Sequence, residues 1–186
     1  MKKTEEPPLW LLIWNRVPKN YFVTKWKGES NITIHAWSYH LALKEAWIEK
    51  ANIICYSSIL PWIATEIPKK SYNITHWEVM ETIMSVCNWK KWEKATAWVI
   101  YWILYHKKTW KRYWWLVCEH QGNYTIPEVT KLLKDSLNEL YVNWFDKDYD
   151  IKETKMITNT INVKKKYWTA LVALCFTNYY YPIISR

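Results

Sequence analysis

The scarcity of glycine constrains this chain more than any other feature of its sequence. Average usage of about 7 % would give roughly 13 glycines in a chain of this length, but the sequence contains 2 glycines and 16 tryptophans. Tight turns need residues that tolerate a positive φ, which glycine adopts freely and tryptophan adopts only against steric resistance. A fold with many strands and turns is therefore hard to build from this composition, and the tryptophans need their own explanation.

Length and charge indicate how many domains to expect and which kind of partner. A chain of 186 residues is long enough to bury a core without a cofactor or disulfide for stability, so we expect one domain. A net charge of +9 is compatible with an acidic partner such as nucleic acid. The basic residues, however, occur as short clusters at apparent turns, which is typical of solvated loop ends: Lys69-Lys70, Lys90-Lys91, Lys107-Lys108 and Lys164-Lys165-Lys166. We therefore expect no nucleic-acid partner.

The cysteines and the amino terminus favour a cytoplasmic protein. Cys55, Cys87, Cys118 and Cys175 lie far apart in apolar runs, and we interpret them as reduced, buried side chains. The apolar run LWLLIW is too short for the core of a signal peptide. The longest apolar run, 95–105, is about half of a membrane span. We expect neither a membrane partner nor a bound metal.

Hydrophobic patterns predict a chain made mostly of strands. Extended segments are predicted at LWLLIW and KNYFVTK with Pro18 as a break between them, and a helix over 38–48 with Ser38 as its N-cap. NIICYSS is predicted to be a buried strand, followed by a polar loop over 62–75. The remaining strands are expected as a three-stranded antiparallel meander and a later pair, at 77–86, 95–105, 113–120, 150–163 and 167–177.

The clearest helix is TIPEVTKLLKDSLNELYVNWF. Thr125 is predicted to cap it, Pro127 suits its first turn, and Glu128 complements the helix dipole. An apolar stripe at helical spacing consists of Val129, Leu132, Leu133, Leu137, Leu140, Tyr141 and Trp144. The element order β-α-β-β-β-α-β-β predicts an α+β fold, a layered α/β/β/α sandwich of mostly antiparallel sheets with a helix packed on each sheet.

Two adjacent serines, Ser57 and Ser58, follow the apolar run in NIICYSSILPW. On local sequence alone they are typical of the start of a loop. The sequence offers no zinc, P-loop or dinucleotide motif, and no glycine flanks the serines as in the nucleophile motif of serine hydrolases. The serine pair itself is the remaining candidate for chemistry.

Four segments resemble the pyruvoyl-dependent arginine decarboxylase family, in order and over nearly the whole chain: FVTKWKGES, SYHLALKEAWIEKANIICYSSILP, RYWWLVCEH and KYWTALVALCFTN. The resemblance implies that Ser58 Oγ attacks the carbonyl carbon of Ser57 and that the chain breaks there into a β chain, 1–57, and an α chain, 58–186. Ser58 would become a covalent pyruvoyl cofactor. Asn52 is implied to assist cleavage as a hydrogen-bond donor, although by itself it is also typical of a strand start or a helix cap.

The same resemblance implies roles in turnover. A Schiff base between the pyruvoyl group and the substrate amine would accept the electrons released with CO₂, and Glu119 would then protonate Cα. An acid that closes an apolar strand is expected to have a pKa raised by desolvation, unless it is an ordinary solvated strand end. Where well-known members have an aspartate in the substrate site for the guanidinium, the resemblance places His40 in this chain, which leaves the identity of the substrate open. Glu45 and Glu29 are alternative acids for this role.

The resemblance also implies an activity and an assembly. Arginine would be converted to agmatine and CO₂, in polyamine biosynthesis or acid resistance, by trimers or pairs of trimers with the active site between subunits. Two alternatives stay open. One is the same chemistry on another amino acid, and the other is a non-enzymatic basic α+β binding module, whose chain would stay uncleaved.

Several tryptophans fall where this family has glycine. Trp26, Trp47 and Trp168 do so within the aligned motifs, and Trp77 and the pair 114–115 extend the pattern. Replacing the tryptophans by glycine would bring glycine usage into the ordinary range. We hypothesise that UGA specifies glycine in this gene and that the printed sequence reads UGA as tryptophan. A genuinely tryptophan-rich core is the alternative.

Overall fold

The computed structural model describes residues 15–90, 94–162 and 164–181. Within them the strands are β1 (Val17–Ser30), β2 (Asn52–Cys55), β3 (Ile59–Pro61), β4 (Thr65–Glu66), β5 (Val79–Lys90), β6 (Ala95–His106), β7 (Arg112–Gly122), β8 (Tyr149–Ile161) and β9 (Tyr167–Tyr180). The helices are α1 (His40–Glu45), which follows a π-helical turn (Ile34–Tyr39), and α2 (Ile126–Trp144), and a 3₁₀ turn spans Lys69–Ser71. None of the helices in these ranges has the length and apolar character to cross a membrane.

The strands form two sheets, a five-stranded one in the order β2-β5-β9-β1-β4 and a four-stranded one in the order β3-β7-β6-β8. Neighbouring strands are antiparallel except in the pairs β1–β4 and β2–β5, which are parallel. The main core lies between the sheets, where alternate residues such as Ile83, Val99 and Val172 meet. Ala42 and Ala46, within and just after α1, cover the first sheet, and α2 covers the second sheet. The predicted α+β sandwich is confirmed.

Helix α2 forms as its local sequence predicts. Thr125 accepts a hydrogen bond from the backbone of Glu128, whose carboxylate accepts one from the backbone N–H of Thr125 at 2.8 Å. This reciprocal capping box satisfies two amides at the start of the helix. Val129, Leu133 and Leu137 are buried against the second sheet. The buried stripe is narrower than predicted, because the outer residues Leu132, Leu140 and Trp144 are exposed.

The amino-terminal elements differ from the prediction in two ways. Pro18 does not break the chain, because β1 runs continuously through it with an irregular register between Pro18 and Asn20; LWLLIW lies outside the described residues. Ser38 does not cap a helix, since it lies inside the π-helical turn and its Oγ donates to the Ile34 carbonyl at 3.1 Å. This turn packs so closely on β1 that a Cβ at Gly28 would lie 2.1 Å from the Ser38 carbonyl oxygen.

The predicted meander is only partly correct. All three of its strands exist, but β5 lies in the first sheet between β2 and β9, while β6 and β7 pair in the second sheet. The expectation that NIICYSS is a buried strand is wrong. Among the described residues β2 is an edge strand that pairs only with β5, and Asn52, Ile54 and Cys55 are exposed. All four cysteines lie in the described ranges and are free, although only Cys87 and Cys175 are fully buried.

Tryptophan occupies the positions of the backbone that suit it least. Among the described residues, the non-glycine residues with positive φ are Trp47 (62°), Trp77 (72°) and Trp110 (57°). Three further indoles are buried with an N–H that has no hydrogen-bond partner in the described ranges: those of Trp98, Trp102 and Trp168. Glycine adopts a positive φ freely and has no side chain to bury, so both observations support the hypothesis that these tryptophans stand in place of glycine.

Candidate active site

Ser57 and Ser58 lie where the chain crosses from one sheet to the other. β2 ends at Cys55 in the first sheet, and β3 begins at Ile59 in the second. Before the serines, the backbone N–H of Tyr56 donates to the Thr82 carbonyl at 2.7 Å. After them, Ile59 pairs with Leu116 of β7. The serine pair is therefore not the start of a free loop, because backbone hydrogen bonds fix the chain on both sides of it.

Ser58 meets Glu119 in this crossing. The Ser58 hydroxyl donates a hydrogen bond to Glu119 Oε2. Glu119 lies on β7, and both residues are half-buried. Burial raises the pKa of Glu119, and the hydrogen bond from Ser58 opposes part of that rise. The direction agrees with the expectation for an acid on an apolar strand and differs from that for an ordinary solvated strand end.

Asn52 and Ser57 are both exposed and are not joined to each other. The side-chain amide of Asn52 donates to the Trp77 carbonyl at 3.3 Å, and its backbone N–H donates to the Glu78 carbonyl at 2.8 Å. These bonds fix the start of β2 against the turn that precedes β5. None of the hydrogen bonds in the described part of the chain connects Asn52 with either serine.

His40 is the exposed first residue of α1. Helix α1 packs on the outer face of the first sheet, whereas Ser58 lies in the crossing between the sheets. No hydrogen bond or ion pair in the described ranges joins His40 to Ser58 or Glu119. Within one chain, then, the structure brings together Ser58 and Glu119 but not His40.

A cleft of about 910 Å³ lies elsewhere on the molecule. Lysines line much of it, from α1, the segment after it and the 3₁₀ turn: Lys44, Lys50, Lys69 and Lys70. Ser57, Ser58 and Glu119 are not among its lining residues. In the described ranges no group of three or more His, Cys, Asp or Glu side chains is placed to hold a metal ion.

One ion pair of a buried carboxylate was not anticipated from the sequence. Glu81 lies on β5 opposite Ile54 of β2, and its side chain is 6 % exposed. Its carboxylate forms an ion pair with Arg16, which directly precedes β1. The available signal was a single acid in the apolar strand VMETIMSV, because an unpaired carboxylate is rarely buried. The identity of its partner could not be inferred from local sequence.

The serine pair and Glu119 suit a cofactor made from the chain itself. The hydroxyl that would attack the preceding peptide is already hydrogen-bonded to a carboxylate whose pKa is raised. Such a carboxylate is a stronger proton acceptor than an exposed one, and it keeps a bound proton to a higher pH. The residues present therefore fit the formation of a covalent carbonyl group at Ser58.

Comparison with known proteins identifies the family of the chain. The family model of the pyruvoyl-dependent arginine decarboxylases matches residues 20–181 of the 186-residue chain. A comparison with curated proteins gives no match. The matched range includes the serine pair, Glu119 and most of both sheets. The chain belongs to the pyruvoyl-dependent arginine decarboxylase family.

Proposed function

We propose that the chain cleaves itself between Ser57 and Ser58 and then decarboxylates a basic amino acid, arginine, to agmatine and CO₂. The cofactor of the family is a covalently bound pyruvoyl group. The observation that carries the proposal is the hydrogen bond from Ser58 Oγ to the half-buried Glu119. It joins the residue that would become the cofactor to a group able to move protons beside it.

Self-cleavage uses only the chain and one water molecule. Ser58 Oγ attacks the carbonyl carbon of Ser57, and an ester replaces the peptide bond. β-Elimination breaks the ester, leaving a carboxylate at Ser57 and an amino-terminal dehydroalanine at position 58. Hydrolysis then releases ammonia and leaves the pyruvoyl carbonyl. Glu119 accepts the Ser58 proton in the first step, and Asn52 is the proposed donor to the oxyanion.

In turnover, the chain's own residues position the substrate and move a proton. The pyruvoyl group, when present, supplies a carbonyl that withdraws the electrons released on loss of CO₂. Glu119 holds a proton at Oε2 and delivers it to the substrate Cα. Its raised pKa keeps a larger fraction of this carboxyl group protonated near neutral pH than an exposed carboxyl would have.

The surroundings of the serines support an assembly in which another subunit completes the site. Ile54, Ile59 and Val79 are exposed, and within the described part of the chain one edge of β2 pairs with no other strand. Exposed apolar side chains beside an open edge are typical of a surface that another chain covers. We propose trimers, or pairs of trimers, in which His40 reaches the site of a neighbouring subunit. The free cysteines favour a reducing compartment such as the cytoplasm.

Intact mass of the protein from its natural host, measured under denaturing conditions, tests the cleavage. We expect two chains that separate between Ser57 and Ser58, with a pyruvoyl group at the start of the larger one. A Ser58→Ala variant is the control and should stay whole. A single full-length chain from the host would contradict the proposal and leave a basic α+β binding module.

Release of CO₂ from arginine, lysine and ornithine by the cleaved protein tests the substrate. We expect arginine to be preferred. In the fraction of Glu119→Gln that has cleaved, kcat per cleaved chain should be lower by 10²-fold or more, the usual contribution of a positioned acid. A cleaved protein that decarboxylates another amino acid instead would show that the chemistry is correct and the substrate is wrong.

A further inference from the structure

The Glu81 carboxylate lies among Arg16, Tyr56 and Tyr179. We call this group the Glu81 cage, and it already holds the guanidinium group of Arg16. Arg16 forms the ion pair with Glu81 Oε1, and the Arg16 guanidinium lies over the Tyr179 ring at 4.8 Å from its centroid. Glu81 is almost fully buried, whereas 43 % of the Arg16 side chain is exposed. A buried carboxylate beside an aromatic face suits a flat cation that hydrogen-bonds at its edge and stacks on its face.

Two polar groups of the Glu81 cage have incomplete hydrogen bonding. Glu81 Oε2 and the Tyr179 hydroxyl are buried and complete no hydrogen bond with the described residues. The hydroxyl of Tyr56 also lies beside this carboxylate. Burial favours the protonated form of Glu81, but Tyr179, Tyr56 and Arg16 together hold its pKa below the usual range. The carboxylate is therefore charged at neutral pH, and a cation bound beside it would have the carboxylate and two tyrosine hydroxyls as neighbours.

A short segment links this cage to the proposed reacting serine. Tyr56 lies beside Glu81, and Ser58, two residues later, donates to Glu119. Two residues of chain span at most about 7 Å, which is about the length of an arginine side chain. A substrate whose α-carbon lies near Ser58 and Glu119 thus has a side chain of the right length to direct its guanidinium toward Glu81.

We propose that Glu81, together with Tyr56 and Tyr179, binds the guanidinium of the substrate, and that Arg16 occupies this place when substrate is absent. The inference rests on the proposed function and assigns the side chains that would recognise the guanidinium of its substrate. It also supplies the negative charge that His40 does not. Arg16 lies outside the strand ladder, one residue before β1, so it is able to leave without breaking a backbone pair.

The proposal predicts that replacing Arg16 and replacing Glu81 change KM in opposite directions. Arg16 acts as a competitor inside the chain, which reduces apparent affinity by the fraction of sites that it fills. Arg16→Ala should therefore lower KM for arginine several-fold, and Glu81→Gln should raise it tenfold or more. The double variant should behave like Glu81→Gln. Lys152→Ala, which removes an exposed ion pair with Asp150 at 3.5 Å, is the control and should leave KM unchanged.

A purely structural ion pair predicts another result. Both single variants would then change KM in the same direction, and the double variant, which leaves no unpaired charge, would return toward the parent value. That pattern in a protein that is cleaved and active would overturn the inference and leave the proposed function intact. Circular dichroism of each variant establishes that it is folded before KM is compared.

Binding of methylguanidinium gives a readout that does not depend on turnover. In the uncleavable Ser58→Ala background, Arg16→Ala should gain an increase in melting temperature with methylguanidinium, and Arg16→Ala/Glu81→Gln should not. Equal responses of the two variants would overturn the inference. Because this assay needs no cofactor, it still decides the role of Glu81 if the parent chain turns out not to cleave.

Discussion

Three tryptophans occupy backbone conformations that normally require glycine. Trp47 follows α1 in a Schellman turn, in which Ile48 N–H donates to the Leu43 carbonyl at 3.0 Å and Trp47 N–H to the Lys44 carbonyl at 2.9 Å. The residue at this position is usually glycine, because it adopts a left-handed conformation. Trp77 and Trp110 have the same conformation in the turns before β5 and β7. This left-handed conformation costs a residue with a Cβ roughly 1–2 kcal/mol relative to glycine.

Replacing these residues tests the glycine hypothesis at the level of stability. Trp47→Gly, Trp77→Gly and Trp110→Gly should each raise the free energy of unfolding by about 1 kcal/mol in urea denaturation, because the left-handed strain is removed. Trp62→Gly is the matched control, since Trp62 is also exposed in a turn but does not have a positive φ. A loss of stability at all four positions would contradict the hypothesis.

How far single residues were predictable depended on the distance to their partners. The approach of Ser58 to Glu119 was implied only by the family resemblance, since 61 positions separate the two residues. The Glu81–Arg16 pair had no comparable guide, and its members are 65 positions apart. Composition and resemblance did single out Trp47 and Trp77, because a missing glycine is visible without knowledge of tertiary contacts. Trp110 was not singled out.

Among the elements, those specified by local sequence were predicted best. Helix α2 has its cap, its first-turn acid and its apolar stripe within one segment, so its bounds and buried face could be predicted. The sheet to which β5 belongs could not, because Val, Ile and Met suit a strand in either sheet and pairing depends on distant partners. β2 was expected to be buried because its run is apolar, yet it is an exposed edge strand.

The ion pair that ties β5 to the residue before β1 should make stability depend on acidity. The folded state holds the pKa of Glu81 below its ordinary value of 4.5, so the contribution of this group is complete above that value. It is lost as the pH falls through that value toward the lower pKa of the folded state. In urea denaturation over this range, the free energy of unfolding should fall less steeply for Glu81→Gln than for the parent.

The control for this experiment is an exposed carboxylate. Asp150→Asn removes the acid from the exposed Lys152 pair. In this variant the free energy of unfolding should fall with decreasing pH as steeply as in the parent, because solvent screens such pairs. Equal slopes for the parent and Glu81→Gln would show that Glu81 does not stabilise the fold through its charge.

Over the whole molecule, the proposed cleavage divides the chain without dividing the fold. Residues 1–57 supply β1 and β2, and residues 58–186 supply the strands from β3 onward. In the first sheet β1 lies between β9 and β4, and β2 pairs with β5. Strands of the two products are therefore interleaved in one sheet, and neither product contains that sheet alone.

This interleaving of strands from two products changes the molecularity of folding. Before cleavage, the sandwich forms from one polymer, so the strands on either side of the serine crossing are held at high effective concentration. Afterwards, a denatured molecule is two solutes that must collide before β1 finds its place between β9 and β4. Added 1–57 peptide should therefore speed the refolding of the cleaved protein, followed by circular dichroism, and leave uncleaved Ser58→Ala unaffected. The cleaved protein would therefore refold more slowly than the uncleaved chain folds, and its lifetime would be governed by the rate of unfolding.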